Sequence, residues 1–310
     1  MKAMVLQAAD TPFVMTDLPD PVAGPGEAVA RVLACGAGLT IQHVRAGRAP
    51  VDYPRIIGHE ITAEIVDFPD DQGTGAMLVD SIEDRAGQKG TGKWTTTAAL
   101  DLGMPIPAIT AAVDARLLSA MKDERLRAAT VYQSESPTDA QASSQAALDA
   151  QPEPLIDEVR RALYAAKICS YAQGFSLLLA ASREYDYGLD LGEIARIWKG
   201  GCIIRAVFLD RIRTAFDRDA ELPNLLVDPD FAQEITEHLG AWRSVVRGAA
   251  GWGIPVPALS ASLAYFDSYR SPRLPANLLQ AQRDYFGAHT YGRTDREGTF
   301  HTNWSREDGA

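Results

Sequence analysis

Apolar positions along the chain follow two regimes that meet near residue 60. Residues 1–66 favour strands: Ala28-Val29-Ala30-Arg31-Val32-Leu33-Ala34 alternates in part, and Asp20-Pro21-Val22-Ala23-Gly24-Pro25-Gly26 supplies turn chemistry. Beyond about residue 76 the period turns helical. Leu155, Ile156, Val159, Leu163 and Ala166 recur at mixed three- and four-residue spacing with no proline between them, which predicts a helix over 155–182. Asp228-Pro229 joins an N-cap to a first-turn proline, and Gly251 or Gly253 followed by Pro255 would stop the helix it starts. Pro257 to Tyr269 and Pro275 to Phe286 read as two further helices. The Ser-, Ala- and Gln-rich run from Gln133 to Pro154 reads as a loop or linker, and no internal repeat is evident.

Composition narrows the class. A length of 310 residues suggests about two domains, and 46% hydrophobic with 23% charged residues is globular composition. No uninterrupted apolar stretch approaches the ~18 residues of a membrane span. The start, Met1-Lys2-Ala3-Met4-Val5-Leu6-Gln7, turns polar too early for a signal peptide. Three cysteines, Cys35, Cys169 and Cys202, match no zinc or redox spacing and read as reduced thiols of a cytoplasmic protein. A net charge of -11 opposes nucleic-acid binding, which needs basic surface. It leaves room for a small anion in a cleft where Lys and Arg gather.

The sharpest such candidate is Gly87-Gln88-Lys89-Gly90-Thr91-Gly92-Lys93-Trp94-Thr95. Glycines let backbone N–H groups converge on an anion, while Lys89 and Lys93 add charge and Thr91 a hydroxyl. The spacing of Gly87, Gly92 and Lys93 nearly makes a nucleotide-binding P-loop. Trp94 stands where magnesium coordination needs Ser or Thr, and Leu78 to Asp84 reads as helix rather than buried strand, so that reading fails. On this segment alone the alternative is a Gly-rich turn with solvated lysines.

The wider segment, from Ala86 to Thr95, resembles the signature of the C-terminal helical domain of 6-phosphogluconate dehydrogenases. Further matching blocks follow in order: Ala115-Arg116-Leu117-Leu118-Ser119, Arg161-Ala162-Leu163-Tyr164, Ser170-Tyr171-Ala172-Gln173-Gly174-Phe175, Gly201-Cys202-Ile203-Ile204-Arg205 and Gly253-Ile254-Pro255-Val256-Pro257. The last runs from Leu274-Pro275-Ala276-Asn277 through Gln280-Ala281-Gln282-Arg283-Asp284 to Gly287-Ala288-His289-Thr290-Tyr291. The resemblance covers residues 60–310 and implies a mainly α fold. It implies that Lys89, Thr91 and Arg116 hold the phosphate of 6-phosphogluconate, with Arg283 and His289 reaching in from the partner of a homodimer. Arg forks and charge-assisted bonds suit a phosphate dianion. The six-residue step from Arg283 to His289 calls for a helix end and a turn, which Gly287 is expected to supply. Lys93 and Arg205 fit either a structural or a site role. The tail Phe300-His301-Thr302-Asn303-Trp304 resembles the family's C-terminal tail, which crosses to the other subunit.

The family oxidises 6-phosphogluconate with NADP and releases carbon dioxide, in the pentose phosphate pathway, using a lysine and a glutamate for proton transfer. No counterpart of that Lys/Glu motif is found, so no catalytic residue is identified. No Gly-x-Gly-x-x-Gly strand–turn–helix unit precedes the match either, so NADP is implied without a recognisable binding domain.

Residues 1–59 resemble instead the N-terminal, GroES-like β-rich part of a medium-chain zinc-type alcohol dehydrogenase. The carrying features are Pro25-Gly26-Glu27, Cys35-Gly36-Ala37-Gly38-Leu39-Thr40 with His43, and Gly58-His59-Glu60. Aligned on these, the family's zinc cysteine falls on Gly38, which removes a ligand, so no metal is expected. The chain therefore reads as a substrate-binding and dimerising helical unit, 60–310, behind a truncated β segment, 1–59, joined by recombination or a mis-joined gene. The alternative is a non-catalytic phosphosugar-binding or dimerisation module. Neither nucleic acid nor membrane is an expected partner.

Overall fold

The computed structural model describes residues 2–22, 29–36, 55–56, 60–67, 81–132, 152–201 and 206–304. Cys202, Arg205, His43, His59, the Gly24–Gly26 and Gly73–Gly75 turns, Leu78 to Asp80 and the polar run 133–150 lie outside the described residues.

The strand-favouring N-terminal stretch forms antiparallel pairs. β1 (Lys2–Leu6) pairs with β2 (Phe13–Asp17) and, on its other edge, with β4 (Arg55–Ile56). β3 (Val29–Gly36) pairs with β5 (Glu60–Asp67), with register shifts between Val29 and Ala30 and between Val32 and Ala34. In the β1–β2 turn the Thr11 hydroxyl donates to the Ala8 carbonyl at 2.7 Å, and Asp10 takes φ 56°.

The rest is helical: α1 (Thr91–Asp101), α2 (Pro107–Ala120), α3 (Lys122–Val131), α4 (Pro152–Glu184), α5 (Leu191–Gly201), α6 (Phe208–Arg218), α7 (Pro229–Gly251), α8 (Pro257–Tyr269) and α9 (Ala276–Gly287). α4 is the spine, packed against α7, α8, α2 and α5. Small residues on it, Ala162, Ala165, Ala166, Cys169 and Ala172, are buried and allow close approach, while Phe175, Phe208, Phe231 and Trp242 fill the space between helices. One buried polar group in this core is fully satisfied. Asn224 accepts from the Leu226 N–H and donates to Ser176 Oγ and Tyr265 Oη, each at 2.9 Å.

Local signals set several helix ends. Asp228 Oδ1 accepts from the N–H groups of Asp230 and Phe231 at 3.0 and 3.3 Å, capping α7 as Asp-Pro predicts. α7 stops at Gly251, and Gly253 takes the left-handed position, φ 68°. Two boundaries differ from expectation. Of the segment expected as helix up to Asp84, Ser81 is helical and Ile82 to Asp84 are not. α4 begins at Pro152, inside the run 133–154 expected as a loop, because prolines in a first turn give up N–H groups that no helical carbonyl would accept.

Two features position the candidate site. A small cluster of Ala99, Ile106 and Leu177 fastens the α1–α2 hairpin to α4, and Gln173 Oε1 accepts the Ala108 N–H at 3.0 Å to fix the start of α2. At the other end, α9 packs mainly against β6 (Tyr291–Gly292), which pairs with β7 (Thr299–Phe300). Helix, hairpin and tail thus form an arm with its own internal contacts.

Candidate functional site

The Gly-rich loop is held at two points before it enters α1. Asp84 pairs with Lys122 and with Arg125 Nη1, the latter at 2.9 Å, and these bonds, Lys122 first, hold its carboxyl down at about 2. Two residues on, the Ala86 N–H donates to Ser119 Oγ at 2.9 Å, and that hydroxyl donates to the Arg116 carbonyl at 2.7 Å. Ser119 therefore ties the lysine loop to the turn of α2 that carries Arg116. Gly90, φ 100°, swings the chain into α1 at Thr91. Gly92 then lies so close to α2 that a Cβ would stand 2.7 Å from Val113 Cγ2, one turn before Arg116.

Lys89, Thr91 and Arg116 are thus gathered at one junction, all exposed. Among the described residues neither Lys89 nor Arg116 pairs with a carboxylate, whereas Lys122 and Arg125 nearby are both engaged by Asp84. Lys93 is exposed one turn into α1.

Arg283 and His289 form a second group on the arm. They share an open pocket of ≈ 330 Å³ with Leu279, Gln282, Phe286 and Gly287. Arg283 Nη1 donates to Gln280 Oε1 at 2.9 Å, and Gln280 Nε2 donates to the Thr290 carbonyl at 2.6 Å. The expected role of Gly287 needs correction. α9 does end there, but the left-handed residues are Ala288, φ 49°, and Thr290, φ 62°. Gly287 matters for room instead: a Cβ on it would stand 2.9 Å from Cδ2 and Nε2 of His289.

Asp284, fully buried, anchors the arm. Its Oδ1 accepts from the Thr290 N–H at 2.9 Å and lies 2.9 Å from His301 Nδ1; its Oδ2 accepts from the Thr302 N–H and Trp304 Nε1 at 3.0 and 2.9 Å. Burial alone would raise this carboxyl, but the four partners outweigh it and hold it well below the usual carboxylate range. The tail expected to cross to another subunit is here fastened to its own α9.

Among the described residues no hydrogen bond or ion pair joins the Lys89 group to the Arg283 group, so they stand as two separate basic groups. Sequence reasoning missed Ser119, Gln280 and Asp284, although all three lie inside the blocks that carry the resemblance. Their residue types are ordinary for exposed helix positions, and only the tertiary partners single them out.

The arrangement suits anion binding, since both groups present exposed cations and the first adds the Thr91 hydroxyl. The described strand pairs are all antiparallel, and no parallel strand–helix–strand unit occurs among the described residues. Among the described residues no three His, Cys, Asp or Glu side chains come together as a metal site, and no helix is long and apolar enough to cross a membrane.

Comparison with known proteins agrees on family. The family model described as 6-phosphogluconate dehydrogenase, C-terminal domain, matches residues 59–304. Decarboxylating 6-phosphogluconate dehydrogenase 2 of Arabidopsis thaliana is 59% identical over 245 residues, 79% of this chain and 49% of that protein. The NADP(+)-dependent, decarboxylating enzyme of Bacillus subtilis is 53% identical over 247 residues, 80% of this chain and 51% of that protein. The solved 6-phosphogluconate dehydrogenase of Plasmodium falciparum superimposes with TM-score 0.66 at 46% identity, covering 76% of this chain and 49% of that one. The chain spans about half the length of these relatives. With four-fifths of its length matched and both basic groups inside the match, the chain belongs to the 6-phosphogluconate dehydrogenase C-terminal domain family.

Proposed function

We propose that the chain supplies the phosphate-recognising and dimerising half of a decarboxylating 6-phosphogluconate dehydrogenase. Lys89, Thr91 and Arg116 of one protomer grip the phosphate, and Arg283 and His289 of the second protomer close over it. The observation that carries this reading is the Ser119 relay, which brings the Lys89 loop to the Arg116 turn with both cations uncommitted among the described residues. The dimer is supported by the apolar surface of the arm: Leu278, Leu279, Tyr285 and Phe286 are exposed, Phe286 by 82%. Trp94, Leu117 and Leu118 are exposed beside the Lys89 group. Relatives are named as NADP-dependent and decarboxylating. In that reaction NADP would take the hydride, while the residues named here would hold the phosphate of the substrate.

Residues 60–310 act in this reading as one unit, and 1–59 as a segment of different descent, alcohol-dehydrogenase-like, without a zinc role. The start of the family match at residue 59 supports that boundary. We place the chain in the cytoplasm, on its thiol usage; some relatives are named as chloroplastic.

Titration calorimetry of the purified chain with 6-phosphogluconate tests the site. Binding weakened at least ten-fold in each of Lys89→Ala, Arg116→Ala and Arg283→Ala is expected; unchanged binding in all three overturns it. NADP-dependent carbon dioxide release separates an enzyme from a module that binds without turnover. Little or none is expected from this chain, and robust turnover would overturn that expectation.

A further inference from the structure

We propose that Gln280 is a positioning residue of the anion site, holding the Arg283 guanidinium and the His289 loop in one fixed relation; this rests on the reading that both residues bind the phosphate. Gln280 lies one turn before Arg283 on α9. Its amide is used at both ends: Oε1 accepts from Arg283 Nη1 at 2.9 Å, and Nε2 donates to the Thr290 carbonyl at 2.6 Å. Only this orientation of the amide satisfies both partners. A carboxylate would meet Arg283 but repel the carbonyl, and an ammonium would do the reverse.

The carbonyl it grips belongs to Thr290, the residue that follows His289. Thr290 is left-handed, φ 62°, and its N–H is taken by buried Asp284 Oδ1 at 2.9 Å. Gln280 and Asp284 therefore clamp Thr290 at its carbonyl and its N–H, from two points on the same helix. Ala288 and His289 lie between that clamp and the end of α9, and His289 lines the pocket shared with Arg283. Because Gln280 occupies Nη1, the Nε–Nη2 edge of Arg283 stays open for a two-pronged contact with phosphate. Pre-setting an arginine in this way removes part of the ordering cost of binding. Both ends of the Gln280 amide being engaged, it orients the contacts and makes none itself.

The test is calorimetry of the full chain with 6-phosphogluconate, alongside thermal melting and oligomeric state. Gln280→Met keeps length and helix propensity and removes both bonds. It should weaken binding about five-fold, the order expected for losing one intramolecular hydrogen bond, with melting and oligomeric state unchanged. Gln280→Glu should fail to rescue. In an Arg283→Ala background Gln280→Met should cost less than the five-fold it costs the parent, because the part of its effect that passes through Arg283 is already gone. Binding by Gln280→Met within two-fold of the parent, or a full five-fold loss repeated in the Arg283→Ala background, overturns the inference while leaving the site reading intact. Unchanged binding in Arg283→Ala and His289→Ala, or no binding by the parent, overturns the site reading and this inference with it.

Discussion

The imidazole of His289 rests against the backbone of Gly287, with Cδ2 and Nε2 each 2.9 Å from where a Cβ would be. Gly287 is the last residue of α9, so alanine there suits the helix and offends only the ring. Gly287→Ala should keep the helical circular dichroism and weaken 6-phosphogluconate binding about ten-fold, the scale of one charge-assisted hydrogen bond. Calorimetry beside a far-ultraviolet spectrum checks both; retained affinity would show that the ring position is immaterial.

Ser119→Ala cuts the relay between Ala86 and Arg116. The relay is exposed, so the freed Ala86 N–H reaches water and stability should fall by no more than about 1 kcal/mol. The loop should nevertheless loosen. Faster amide exchange at residues 86–90, with weaker anion binding, is the expected signature.

Gly92→Ala should separate α1 from α2, because its Cβ would overlap Val113 Cγ2 at 2.7 Å. Overpacking of this kind costs about 1–3 kcal/mol. Adding Val113→Ala makes room and should restore most of the lost melting temperature; a double variant no better than the single would refute the steric account.

Cys169 is fully buried on α4, and burial pushes its thiol up to about 12. A native thiol raised above its unfolded value contributes stability that is complete below about pH 8.5 and declines as pH rises toward 12. Cys169 should resist thiol reagents at neutral pH until the chain unfolds, and urea midpoints should fall across that alkaline window. Peptide mapping after labelling identifies the site.

The Asp284 carboxylate is held below the usual range, so its sign is opposite. Its contribution is complete above the unfolded value of about 3.9 and is lost only as pH falls through the lower native value. Trp304, which donates to Asp284, reports on it. Its fluorescence should hold steady down to pH 4 and change below that, whereas Asp284→Asn should show the released-tail emission at neutral pH.

Much of the helical frame was legible because its signals are local. Asp228 and Pro229 announce α7 within two residues, and the prolines at 257 and 275 mark the next two helices. Lys89 and Arg116 stand in the motif series, and the fold brings their segments together through Ser119. What stayed hidden acts at a distance or through space. Ser119 is 33 residues from Ala86, and nothing in the type or neighbours of a serine on α2 announces that partner. Asp284 collects donors as far away as Trp304, beyond any turn signal. Gly287 was the reverse case: its position was read correctly and its reason was not, since a glycine required for space looks the same in sequence as one required for a left-handed turn.

The hairpin of the arm crosses from Gly292 to Thr299 between fixed ends. On one side Thr290 is pinned by Gln280 and Asp284; on the other, Thr302 and Trp304 are pinned by the same carboxylate. Residues 293–298 bear on neither, being occupied with their own Arg293–Asp295 pair and with Arg293 and Arg296 over the Phe300 ring. Exactness and freedom are therefore parted within a dozen residues. Changes confined to 294–298 should leave His289 where it stands, which makes this tip a place to carry a tag, a cleavage sequence or a reporter.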